Sequence, residues 1–106
     1  KPITVGPNDA GVIRPILSSK EGLVIGHGIC PKYVQDSYDM SAVALDEAVR
    51  NVLAVGAKFG YLACLDNFSW TNPLPTPTNS EAEYKLAQLV RACFSFYNYT
   101  RSYNIP

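Results

Sequence analysis

The stretch DMSAVALDEAVRNVLAVGAKFGYLACLDNFSW, residues 39–70, sets the frame for the rest of the chain. Its first half has the pattern of a helix that is apolar almost all round. Met40, Val43, Ala44, Ala48, Val49, Val52, Leu53 and Val55 leave Asp46, Glu47, Arg50 and Asn51 as its strongly polar positions. A helix with so little polar surface is expected to be buried. Charged and amide groups on such a helix need partners, because an unpaired buried polar group costs several kcal/mol. Glu47 and Asn51 are four apart and lie one turn above the other on the same face. Gly56 is expected to stop this helix. The following apolar run, residues 61–65 (YLACL), is expected to be a strand that delivers Asp66-Asn67 at its end.

Composition limits what the chain can be. At 106 residues it is one domain at most, of a size that buries a real core. Apolar residues make up 47% and charged residues 17%, and that charge is below the quarter usual for globular domains. The shortfall points to surface meant to be covered by another domain or a second copy. Nine basic and nine acidic residues balance, so no electrostatic footprint for nucleic acid or an anionic membrane is present. No apolar run has the length of a membrane span, and no signal peptide is visible. Cys30, Cys64 and Cys93 sit in apolar segments and cannot all pair, as expected of reduced core thiols in a cytoplasmic protein. The chain starts at Lys1 and stops at Pro106, where a further strand is expected, so it reads as a piece of a longer protein.

Working outward, residues 1–10 are loop-like, with Pro2, Gly6 and Pro7 as punctuation. Residues 11–17 (GVIRPIL) and 22–30 (GLVIGHGIC) are expected to be strands joined as a hairpin, the first ended early by Pro15 or held at an edge. Gly26 and Gly28 flank His27 and suggest a bulge or the close approach of another backbone or ligand. Asp39 is the expected N-cap of the first helix. Residues 71–79 (TNPLPTPTN) form a stiff, proline-rich loop. Ser80 with Glu83 makes a capping box for a last helix, whose stripe is Leu86, Leu89, Val90, Cys93 and Tyr97 and whose end frays near residues 99–103. The order strand, strand, helix, strand, helix predicts an α+β domain: a small mixed sheet with two helices on one face.

Few residues are candidates for chemistry. Asp9 lies at the mouth of the first strand, and an Asx turn accounts for it. Glu47 with Asn51 offers one carboxylate and one amide oxygen, the hard ligands that suit Mg²⁺ with waters and phosphates completing the shell. A purely structural polar network is an equal reading of that pair. Asp46 and Arg50 are more economically an i,i+4 ion pair. Asp66 could ligate a metal or cap a turn. His27, the only histidine, has no nucleophile or acid pattern nearby, and neither a catalytic triad nor a paired-cysteine zinc spacing occurs.

Several motifs in fixed order, GVIRPI, GLVIGHGICPKY, DEAVRNVLAVGA, LDNFSWTNP and YKLAQLVRACFSFYNY, resemble phosphoribosylformylglycinamidine synthase over nearly the whole chain. The likeness is to the second aminoimidazole-ribonucleotide-synthetase-like half of its synthetase component. That resemblance implies an ATP-dependent ligase of purine biosynthesis. It activates the formamide oxygen of formylglycinamide ribonucleotide with ATP, and ammonia from glutamine displaces phosphate to give the amidine. It also implies a Mg²⁺–nucleotide (ATP or ADP) half-site using Asp9, Glu47 and Asn51, with Asp66 a further metal candidate. The implied fold has two helices on one face of a mixed sheet, and the sheet pairs with an equivalent one into a shared barrel, so self-association through the sheet is expected. Implied partners are the remaining synthetase domains, the glutaminase subunit and the small accessory subunit, and the isolated piece is expected to be inactive. The alternatives are another ATP-dependent enzyme of the same superfamily, against which the DNFSWTNP run argues, and a non-catalytic interaction or structural domain.

Overall fold

A computed structural model describes residues 8–106; of the expected N-terminal loop, residues 1–7 lie outside the described residues. Strands β1 (Ala10–Ile13) and β2 (Leu23–Gly26) pair antiparallel as the expected hairpin, with Ala10 opposite Gly26 and Ile13 opposite Leu23. Both are shorter than the apolar runs that announce them. Pro15 follows two residues after β1 and offers no backbone N–H for a ladder, so pairing ends at Ile13. A 3-10 turn over Pro31–Tyr33 leads into helix α1 (Ser37–Ala54).

The N-cap of α1 is Asp36 and not Asp39, which lies in its first turn. The Asp36 carboxylate accepts from the N–H groups of Tyr38 (2.9 Å) and Asp39 (3.4 Å) and is also gripped by Arg91 at 2.9 Å. At the other end Gly56 adopts φ +100°, the Gly56 N–H bonds to the Leu53 carbonyl, and the Ala57 N–H reaches back to Val52. That Schellman closure is why the helix stops at the glycine.

The helix is not buried all round. Ser37, Ser41, Leu45 and Val49, spaced by four, form its buried line against helix α2 (Ala82–Tyr103). A second line, Ala44, Ala48 and Val52, meets β2, and Val43, Glu47 and Arg50 are exposed. Small residues let α1 and α2 approach closely: Ala92 and Ser95 are fully buried, and Ser37 nearly so. Their hydroxyls do not go unpaired. Ser37 Oγ donates to the Gln88 carbonyl at 2.7 Å, and Ser95 Oγ to the Tyr38 carbonyl at 2.7 Å.

Residues 61–65 do not form the expected strand. They run without regular pairing, and one ladder-like bond, from the Cys64 N–H to the Pro106 carbonyl (3.1 Å), is made. A strand exists only through its partner, and a single bond supplies too little. Helix α2 also departs from expectation at both ends. It starts after Glu81, which makes no side-chain cap bond, so the Ser80–Glu83 box does not form. It does not fray at residues 99–103 but closes on Asn104, whose left-handed φ of 53° lets the Ile105 N–H reach the Thr100 carbonyl.

The α+β class stands; among the described residues the sheet is two-stranded and antiparallel, not the larger mixed one expected. The layering also differs: α1 covers the hairpin, and α2 stacks on α1 without reaching the strands. The core is Leu45, Val49 and Ile105, flanked by Leu53, Leu62, Cys64, Phe96 and Tyr103. Five apolar residues are buried while twenty large ones are exposed, so most apolar surface of the described residues has no cover within them. The cysteines are unpaired as expected, but Cys93 is exposed and is not a core thiol.

Candidate functional site

The polar pair on α1 faces the exit of β2. Glu47 Oε2 accepts the Ile29 N–H at 2.9 Å, and Asn51 Nδ2 donates to the His27 carbonyl at 2.9 Å. Two side chains one helical turn apart therefore grip the backbone on either side of Gly28. The grip is tight because of what Gly28 lacks: a Cβ there would lie 1.9 Å from the Ala44 carbonyl oxygen and 2.9 Å from the Ala48 nitrogen. Gly26 is similarly close, with a Cβ meeting Val52 at 2.7 Å. The two glycines around His27 thus mark the approach of another backbone.

Each clamping side chain keeps a polar atom unused. Among the described residues Glu47 Oε1 and Asn51 Oδ1 make no hydrogen bond. Because Nδ2 is committed to the His27 carbonyl, the amide oxygen of Asn51 is left without a partner among the described residues. Both leftover atoms are hard oxygens, the donor type a divalent cation of the Mg²⁺ class takes. Orientation of ligating groups by hydrogen bonds from their other atoms is a usual feature of metal sites.

The other candidates are arranged differently. Asp9 is exposed, one residue before β1, and His27 follows β2, so both leave the same end of the hairpin. Asp66 is exposed on the far segment, where the Cys64 thiol points at its carboxylate from 3.8 Å. Burial, and then that carboxylate, push the Cys64 thiol pKa up. Among the described residues no three His, Cys, Asp or Glu side chains gather in a way that could hold a metal. Asp9, Glu47 and Asp66 are therefore not brought into one carboxylate cluster; the structure unites Glu47, Asn51 and the 27–29 backbone.

Asp46 and Arg50 form the expected i,i+4 pair, Nε to Oδ2 at 2.6 Å, and that bond raises the Arg50 pKa. Sequence reasoning missed the third member, Tyr103, whose hydroxyl donates to Asp46 Oδ1 at 3.3 Å. Its pKa is raised by burial and then by that carboxylate. Trp70 donates its ring N–H to the Lys85 carbonyl at 2.9 Å and sets its edge against Phe68, so it pins the proline-rich loop onto α2. These contacts are structural.

Comparison with known proteins adds the family. The chain is 30% identical over 100 residues to the phosphoribosylformylglycinamidine synthase subunit PurL of Thermoplasma volcanium, an alignment spanning 93% of this chain. It is 31% identical over 87 residues (81% of the chain) to the PurL subunit of Bartonella tribocorum. To that of Rhodopseudomonas palustris it is 39% identical over 66 residues (61%). Over the aligned residues the chain is similar to a segment of PurL. It spans 12%, 12% and 9% of the length of these three relatives. No family model and no solved structure matches it. The PurL relationship rests on sequence alone, and no helix among the described residues is long and apolar enough to cross a membrane.

Proposed function

We propose that this chain contributes a Mg²⁺–nucleotide half-site to a phosphoribosylformylglycinamidine synthase, as one aminoimidazole-ribonucleotide-synthetase-like N-terminal domain in the second half of its synthetase subunit. The parent is an ATP-dependent, glutamine-dependent C–N ligase of purine biosynthesis that acts in the cytoplasm, and the chain alone is inactive. The observation that carries the reading is the pair of oxygens, Glu47 Oε1 and Asn51 Oδ1, unpartnered among the described residues and fixed on a rigid helix. They fit a hard divalent cation, which when bound would neutralise charge on the nucleotide phosphates. Glu47 supplies the negative charge and Asn51 a neutral oxygen; Asp9, exposed at the hairpin end that His27 also leaves, is the proposed further ligand although it is not clustered with them here. Asp66 is a weaker member, since it stands apart with Cys64.

The outer face of the hairpin supports the proposed barrel. Ile13, Leu23 and Ile25 are each exposed, an apolar strip suited to an equivalent sheet. Pairing through it, within the synthetase or between copies, fits the low charge content. The remaining synthetase domains, the glutaminase subunit and the small accessory subunit are the proposed further partners.

The clamp itself favours a second reading, in which Glu47 and Asn51 only brace the hairpin against α1. Glu47→Ala in the full-length synthetase separates the two. The half-site reading predicts at least tenfold weaker Mg-ADP and Mg-ATP binding, on top of any drop in melting temperature from losing the Ile29 bond. A lowered melting temperature with unchanged nucleotide affinity would leave bracing alone.

A further inference from the structure

We infer that the backbone of residues 27–29 is the orienting shell of that cation site, and that Gly28 is a positioning residue for it. This rests on the half-site reading above. Its ground is a division of labour within two side chains. Glu47 uses Oε2 to hold the Ile29 N–H, and Asn51 uses Nδ2 to hold the His27 carbonyl. Each bond fixes the remaining oxygen of the same planar group, since the carboxylate and amide have no independent way to turn Oε1 or Oδ1. The direction of both free oxygens is thereby set by where the 27–29 backbone lies.

That placement depends on Gly28. Its Cα sits so near α1 that a methyl group would overlap the Ala44 carbonyl and crowd the Ala48 nitrogen. Both obstacles are main-chain atoms in mid-helix and cannot swing aside. An alanine at 28 must lift the segment from the helix, which releases the Ile29 N–H and His27 carbonyl together and frees Glu47 and Asn51 to rotate. The Ile29 amide is hydrogen-bonded by the Glu47 carboxylate, so that bond is what slows its exchange with solvent.

The test uses the full-length synthetase and Mn²⁺ alone as the probe, read by its electron paramagnetic resonance, together with hydrogen exchange at the Ile29 amide. Gly28→Ala is expected to weaken Mn²⁺ binding about 10–100-fold, the usual cost of disturbing an orienting shell. The Ile29 amide should lose protection while the amides of α1 stay protected. Gly11→Ala is the control, because its added Cβ meets only ordinary contact, 3.8 Å from the Ile25 carbonyl. Asn51→Asp keeps an oxygen ligand and adds charge but removes the Nδ2 donor, so it covers the case in which Gly28→Ala fails to fold. Orientation predicts weaker Mn²⁺ binding in Asn51→Asp; a ligand needing no orientation predicts equal or tighter binding. Wild-type affinity in both variants would overturn the inference and leave the half-site standing. A wild-type protein that takes no Mn²⁺ would remove the half-site reading and this inference with it.

Discussion

Asp36 shows how one residue can serve three partners. Its carboxylate caps α1 through two backbone N–H groups and accepts from Arg91 on α2, whose guanidinium also lies over the Tyr38 ring at 6.0 Å. The Arg91 hydrogen bond, opposed by some desolvation and helped by the cap bonds, holds the Asp36 pKa below its ordinary 3.8. A depressed folded-state pKa means the unfolded chain binds the proton more readily, so this contribution is fully present above the ordinary carboxylate range. It is lost as the pH falls through the lowered value. Thermal melts from pH 6 down to pH 2 should therefore lose stability at the acid end, and Asp36→Asn should lose less of it there than wild type. An equally steep acid loss in Asp36→Asn would show that other carboxylates control it. Local pattern pointed to Asp39 as the cap, whereas Asp36 takes that place and also meets Arg91, 55 residues away, a tertiary contact that local pattern does not carry.

The elements meet through small side chains. Ala92 on α2 is fully buried, as is Ser95, and Ser37 on α1 is nearly so. Ala92→Leu should force the helices apart and cost about 1–3 kcal/mol, measured by urea unfolding. Leu45, 3% exposed at the centre of the core, should cost about 2–5 kcal/mol as Leu45→Ala. A near-neutral Ala92→Leu would mean that the two helices are not in close contact in solution. The hairpin, both helices and the glycine stop at Gly56 were legible in hydrophobic period and turn chemistry. The doubled glycine around His27 announced a close backbone approach, and Gly28 makes one. The strand expected at residues 61–65 was not realised, because its apolar run describes a strand's side chains and says nothing of whether a partner is present. The polar pair on α1 was legible as a pair. Its partners, the Ile29 N–H and the His27 carbonyl, were not, since nothing in the spacing of α1 identifies which loop returns to it.

At the scale of the whole molecule, the excess of exposed apolar side chains over buried ones is the dominant feature. The outer strip of the hairpin should make the isolated chain associate at high concentration. Ile25→Lys, which places a charge in the middle of that strip, should shift it toward monomer in light scattering. Association indifferent to Ile25→Lys would move the interface elsewhere. Covered by the rest of a synthetase, the same strip becomes interior, and the clamp of Glu47 and Asn51 on the 27–29 backbone lies at the end of the hairpin it supports. The most direct measurement is calorimetric titration of ADP into the full-length synthetase with Mg²⁺ and again with the cation chelated, in wild type and Glu47→Ala. The account predicts saturable binding that needs Mg²⁺ in wild type and is weakened at least tenfold in Glu47→Ala. Identical binding in both proteins, or binding indifferent to Mg²⁺, would contradict a nucleotide half-site on α1.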